Sequence, residues 1–460
     1  MARRMENSIG WDWIILAVTA LTSLELNLPY SLDQLNFHHA LPLMGPFASW
    51  LCPGGENQPL ILMGNGFMPY KLLIRTLTTG AVALWLAMDL MRHTGRRTAI
   101  VKGVLIGFLI AGHVIVPQLM MIRARVAASN HALAHDGGTI QMEEAMKMVL
   151  SGKNPYSETF HGTPLENWRG FTNNVVYHVP YMPGAFLYSL PAYMIIQSMT
   201  GMYDQRLLHL LLFLVSFALI GILTPAGTRR HCAWLLFGLN PFFVRYFLLG
   251  ANDIVIIFLI LLSAALIHRS HPAAGLLALA AACSVKQFAW FFVPFFMVRA
   301  LPLDPETPST WFQTAVSRWT RWIPALSLAA LTILPFVLWN PVAFYQDTFL
   351  YGSGGLESSY PIQGFHGYGF ATLLLFFRII PNGDVYFPFI IIQLAVLVPL
   401  FIVLWSRFRR ETTLAEALRA ASVLLFVFMF FSRYLHANFI GFILLWPILA
   451  ACMAPVEDRD

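Results

Sequence analysis

Charge is scarce in this chain: Asp, Glu, Lys and Arg make up 11% of its 460 residues, against roughly 25% in an ordinary soluble domain. That deficit excludes an intrinsically disordered chain and a soluble nucleic-acid binder. The net charge of +6 does not restore the latter, because Lys and Arg fall between apolar runs and not on one basic face. Cysteine is scarce as well. Cys52, Cys232, Cys283 and Cys452 lie far apart with no Cys-x-x-Cys pair, which excludes a disulfide scaffold and points away from a zinc site. No internal repeat is visible, and no polar segment is large enough to fold alone as a soluble domain.

What abounds is apolar surface: 57% of the residues are hydrophobic and 14% aromatic, and the mean hydropathy is +0.63. Apolar runs near the ~20 residues that cross a bilayer recur from end to end. They predict spans at about 12–29, 71–91, 103–122, 205–224, 233–249, 254–268, 273–286, 288–300, 322–339, 384–405, 417–432 and 437–454. The fold class expected is therefore an all-α polytopic membrane protein of about twelve transmembrane helices. The first run ends at Leu28-Pro29-Tyr30 without an Ala-x-Ala-like site, so it reads as a retained anchor and not a cleaved signal.

Lys and Arg then set the orientation. Arg3 and Arg4, Arg92 to Lys102, Arg229-Arg230, Arg269, Arg299 to Arg321 and Arg407 to Arg419 all fall on one side if the N-terminus is cytoplasmic. The C-terminus then also lies inside. This alternation keeps Pro183 to Met199 from crossing, although it is long and apolar enough. Pro180, Pro183 and Pro191 punctuate it, so a broken, re-entrant or surface helix is expected. Phe370 to Ile380 is too short to cross. Three loops, about 30–70, 123–204 and 340–383, go outside. Within the second, Thr139 to Ser151 carries Met142, Ala145, Met146, Val149 and Leu150 at helical spacing, with Glu143, Glu144 and Lys147 opposite. That pattern predicts a short amphipathic helix at the outer interface, capped by Thr139 and ended by Gly152.

The predicted outer ends gather polar residues. Asp136, in His135-Asp136-Gly137-Gly138, is the strongest acid candidate, though Asp-Gly-Gly is also good turn chemistry. Asp253, after Asn252, reads equally as a helix cap or a site residue. Lys286 sits between two almost wholly apolar runs and wants an anionic partner, a structural carboxylate or a substrate phosphate. Arg433 and His436, three apart, would share a helical face and suit an anion. His366, in a Gly-flanked loop, and Tyr181 complete the set. If these converge, an outer carboxylate takes a proton from an acceptor hydroxyl while Lys, Arg and His stabilise a departing phosphate. A glycosidase would need a second carboxyl to protonate a poor leaving group, whereas a lipid phosphate leaves as an anion.

The order His135-Asp136-Gly137-Gly138, the amphipathic helix ending Gly152-Lys153-Asn154-Pro155-Tyr156, Tyr181-x-Pro183, Asn240-Pro241, Gly250-Ala251-Asn252-Asp253 and Lys286 resembles the GT-C superfamily of membrane glycosyltransferases, and within it the glycosyltransferase family 87 mannosyltransferase-like proteins. The resemblance spans roughly residues 103–440. It implies a hexosyl transfer, of mannose, from a polyprenyl-phosphate sugar to a lipid or polysaccharide acceptor on the non-cytoplasmic face of a bacterial-type plasma membrane, with inversion. It gives Asp136 the role of general base. Lys286, Arg433, His436 and His366 would meet the donor phosphate or sugar, and His135, Asn252, Asp253 and Tyr181 would line the site. The implied partners are the lipid-linked donor, the acceptor and membrane lipids, with no nucleic acid.

One departure is that two helices precede the family's usual first one. Residues 1–102 then form an N-terminal two-helix addition with an outer loop, and 103–460 the catalytic module with its catalytic loop at 123–204. That loop carries no Asp-x-Asp, so no metal and no cofactor beyond the lipid-linked donor is expected. A transporter or flippase of lipid-linked sugars would also need many helices and a polar cavity, but it usually shows repeated halves. A scaffolding subunit without activity is the third reading.

Overall fold

The computed structural model describes residues 12, 14–22, 68–91, 95–127, 136–168, 173–301, 319–362 and 367–453. Among these there is helix and irregular chain but no strand. The chain divides into two compact units, 1–136 with 224–250 and 137–223 with 251–460.

In the first unit the helix Met68–Leu90 packs on Arg96–Ile110, which continues through a π-helical turn, Ala111–Ile115, into Val116–Ala127. The extra residue of such a turn re-aims a side chain. Here it holds buried His113 against the Thr78 hydroxyl at 2.8 Å. Thr228–Gly238 and Pro241–Leu249 pack on the two halves of that long helix. They meet at a 47° bend, where Asn240 Oδ1 accepts the Phe242 N–H and Pro241 takes the first helical position. Asn-Pro suits that place, since Asn satisfies an orphan N–H and Pro lacks one. The pair recurs in the second unit as Asn154-Pro155 and Asn340-Pro341, each Asn accepting a backbone N–H.

The second unit is organised around Asp253–His268. This helix is apolar on every face, and it packs against Pro272–Val285 and Gln205–Leu223. Ile254, Ile256, Ile260, Leu261 and Ala264 are fully buried. Gly275 permits the close approach: a Cβ there would lie 2.6 Å from Ile267 and 3.0 Å from the Ser263 carbonyl. Phe389–Phe408 is equally apolar yet exposes Ile391, Leu394, Val398, Ile402 and Val403. That is the surface of a helix solvated by lipid. It packs against Leu414–Phe430, which pairs with Ala437–Cys452.

Four helices are long and apolar enough to cross a membrane, and six result if each of two bent pairs counts once, among the described residues. The predicted spans 254–268, 273–286 and 437–454 are helical, but the 16 residues of Asp253–His268 reach only about 24 Å at ~1.5 Å per residue, short of a ~30 Å hydrocarbon core. Twelve crossings is therefore more than length alone supports. The segment Pro183 to Met199 is broken, into Gly184–Leu187 and Leu190–Thr200. Ile323–Trp339 turns by 118° into Pro341–Ser353.

The segment expected to lie as an amphipathic surface helix is corrected. It starts at Gly137, and Thr139 is inside it and fully buried, not its cap. Of its polar face, Glu143 and Glu144 are buried and Lys147 is exposed. Glu143 accepts the Gln205 N–H at 2.9 Å, and Gln141 donates to the carbonyls of Val175 and His178 at 2.7 and 2.8 Å. A Cβ on Gly137 would sit 2.8 Å from the Trp168 ring, so the close packing requires glycine. The helix does end at Gly152, which takes a left-handed φ of 74°.

Candidate functional site

Lys286 follows the last turn of Pro272–Val285, where the chain becomes extended before a 3-10 turn. Its ammonium donates to Asp253 Oδ1 at 2.6 Å. Asp253 is the first residue of its helix and not its cap, and its other oxygen accepts from Asn438 Nδ2 at 3.0 Å. The carboxylate thus bridges the starts of two helices. The capping reading of Asp253 gives way, because both its oxygens are taken by side chains. Around the ammonium stand the rings of Phe288, Phe439 and Tyr181, at 4.7, 5.0 and 5.7 Å from their centroids. A lysine so enclosed gains cation–π attraction from faces that cannot hydrogen-bond it.

Asn252 occupies the helix-cap position without using its side chain to cap. It is buried, and its Nδ2 finds no hydrogen-bond partner. A buried amide of this kind is a donor a ligand can engage. Tyr181 is positioned by its own carbonyl, which accepts the Tyr156 hydroxyl at 2.7 Å. Burial, with the Asp347 carboxylate nearby, pushes the Tyr156 phenol well above its ordinary value, so it stays a neutral donor.

Arg433 and His436 do not share a helical face. Leu414–Phe430 has ended and Ala437–Cys452 has not begun, so both lie in the connecting turn. The Tyr368 N–H to the Leu435 carbonyl, at 2.9 Å, helps hold that turn. The Arg433 guanidinium is buried and donates to the carbonyls of Tyr360, Val385 and Gly383 at 2.8, 3.0 and 2.7 Å. Carbonyls satisfy its donors without cancelling its charge. His436 packs with Tyr360, Tyr434 and Phe439, ring centroids 5.4 to 6.1 Å apart. Through Phe439, His436 joins the rings around Lys286.

The second unit thus gathers Tyr181, Asn252, Asp253, Lys286 and His436 into one polar and aromatic cluster, with Arg433 bracing its edge. Asp136 belongs to the first unit. It is half-buried, and its N–H donates to the Leu249 carbonyl at 2.7 Å. His135 and His366 lie outside the described residues. Sequence reasoning missed Asn438, whose signal was a lone amide at the head of an apolar helix two residues after His436, and the role of Tyr360. No group of three or more His, Cys, Asp or Glu side chains suited to a metal ion is found among the described residues.

A search of curated proteins and a search of solved structures gave no match. Residues 145–302 match the model of the MptA_B family, described as alpha-(1->6)-mannopyranosyltransferase, N-terminal domain. The match encloses Tyr181, Asn252, Asp253 and Lys286, and it supports a glycosyltransferase, consistent with a family 87-like mannosyltransferase of the GT-C type.

Proposed function

We propose that the chain transfers mannose from a polyprenyl-phosphate donor to a hydroxyl of a glycan or lipid acceptor at the non-cytoplasmic face, with inversion. The observation that carries this reading is the mannosyltransferase-family match over residues 145–302, which contains the buried Lys286–Asp253 pair and the unpartnered Asn252 amide. The acceptor oxygen attacks the anomeric carbon as the bond to the phosphate oxygen breaks, and polyprenyl phosphate departs. Asp136 takes the acceptor proton.

Lys286 and Arg433 hold positive charge in surroundings of low dielectric, where it acts strongly on a developing phosphate dianion. Lys286 is already paired with Asp253, so its net attraction for an anion is reduced. The Arg433 guanidinium is held by carbonyls and meets the Asp384 carboxylate only electrostatically, not in an ion pair. Tyr181, Tyr360, Tyr434 and His436 offer flat faces for a sugar ring.

The test is to incubate the purified protein with a panel of polyprenyl-phosphate sugars and native lipid extract, then follow product and released polyprenyl phosphate by mass spectrometry. A mannosylated product is expected with the mannosyl donor. Asp136→Asn should slow transfer roughly 10²- to 10⁴-fold with thermal unfolding unchanged. An unaltered rate removes Asp136 as the base, and the absence of product or released carrier with every donor removes the reading.

A further inference from the structure

In the second unit His178 meets, side chain to side chain, two residues of one later stretch, Asp347 and Ser358. His178 Nδ1 lies 2.6 Å from Asp347 Oδ1, and His178 Nε2 lies 2.6 Å from Ser358 Oγ. The carboxylate is fixed on its other side, where Oδ2 accepts the Val179 N–H at 2.8 Å. Asp347 is buried, so its charge persists there only with such partners. With the carboxylate on Nδ1, the ring proton is held on that nitrogen. Nε2 is left as the basic atom, aimed at the serine hydroxyl.

The backbone behind the imidazole is held too, since the His178 carbonyl accepts from Gln141. The ring lies 4.8 Å from that of Tyr351. The fastening of the loop is done by the next residue, Ser359. Its Oγ accepts the Leu356 N–H, its N–H donates to the Leu356 carbonyl, and its carbonyl accepts from Asn174. Ser358 itself is half-buried in the turn.

An oriented imidazole within hydrogen-bond reach of a hydroxyl is what an activated serine requires. We propose that Ser358, His178 and Asp347 form a second reactive centre, with Ser358 as a nucleophile toward carboxylic esters. Ser358 Oγ attacks the ester carbonyl carbon and its proton passes to His178 Nε2. The bond to the alcohol oxygen breaks, and the alcohol leaves with that proton. Water, deprotonated by the same nitrogen, then cleaves the acyl-serine ester to a carboxylic acid and restores Ser358. Asp347 is a positioning residue, acting through the imidazole.

The full-length protein in detergent is treated with a fluorophosphonate probe and digested for peptide mass spectrometry. The expected result is modification at Ser358, at a rate that depends on pH. Ser358→Ala should lose it and Ser353→Ala, an exposed serine of the same region, keep it. His178→Gln should slow it roughly a hundredfold at unchanged helical content. Asp347→Asn should flatten the pH profile. Folded wild-type protein unmodified at Ser358, or equal modification in His178→Gln, overturns the proposal. Transfer of mannose is measured separately, so either function can fail without the other.

Discussion

The two units each bury one lysine against aspartate, and they do it differently. In the first, Lys102 donates to Asp12 at 2.9 Å and to Asp89 at 2.6 Å, lies 4.7 Å from the Trp85 ring, and has His231 3.7 Å from the Asp12 carboxylate. In the second, Lys286 meets one carboxylate, which Asn438 shares, and three aromatic rings. Lys102 is outnumbered by its acids and closed off as a structural staple between helices. Lys286 is matched one to one and ringed by aromatics; buried polar atoms without partners stand near both lysines, Asn252 Nδ2 here and Asp12 Oδ1, Asp89 Oδ2 and Trp85 Nε1 there. A lysine among apolar residues therefore announces a carboxylate, and the company around the pair separates a staple from a site.

The largest effect should come from breaking the staple. Lys102→Met strands the buried Asp12 carboxylate and takes the cation from the largely covered Asp89, and removing one member of a buried ionic group costs about 3–5 kcal/mol. Thermal unfolding in detergent should show a large drop in midpoint. A midpoint within a degree or two of wild type would mean that water reaches the cluster and that the contrast with Lys286 is false.

Lys286→Met should destabilise less, because one carboxylate is stranded and Asn438 still donates to it. Adding Asp253→Asn removes the stranded charge and should bring stability back to within about 1 kcal/mol of wild type, as uncharged replacements of buried pairs generally do. Transfer activity, measured by release of polyprenyl phosphate, should stay low in the double variant. If activity returns together with stability, Lys286 is a staple like Lys102.

Many helices of both units were legible because apolar runs are a local signal, as is a glycine end such as Gly152. So was the need of Lys286 for an anion. Its partner was not, since Asp253 lies 33 residues away and Asn438 is 185 residues from Asp253; no periodicity links them. The carbonyls that hold Arg433 were not legible either, because backbone acceptors carry no mark in a sequence. The helix Gly137–Leu150 was read as a surface element for the same reason. Glu143 and Gln141 look solvated until the chain folds over them and gives their polar atoms backbone partners 34 to 62 residues away. His178 and Asp347 are 169 residues apart, and neither stands out alone.

A third lysine calibrates the other two. Lys147 donates to Glu144 at 2.6 Å, the same distance as Lys102 to Asp89 and Lys286 to Asp253. Its side chain, however, is 50% exposed, against 9% and 10% for the buried pair of lysines. Glu144 is only 10% exposed, but the Lys147 ammonium keeps its water, so the attraction of this i,i+3 pair is screened and worth about 0.2–0.5 kcal/mol. Lys147→Ala should therefore shift the unfolding midpoint only slightly, and raising the salt concentration should shrink even that shift. A loss approaching that of Lys102→Met would show that contact distance, and not removal from water, sets the strength of these pairs, and the distinction between staple and site would have to be drawn on other grounds.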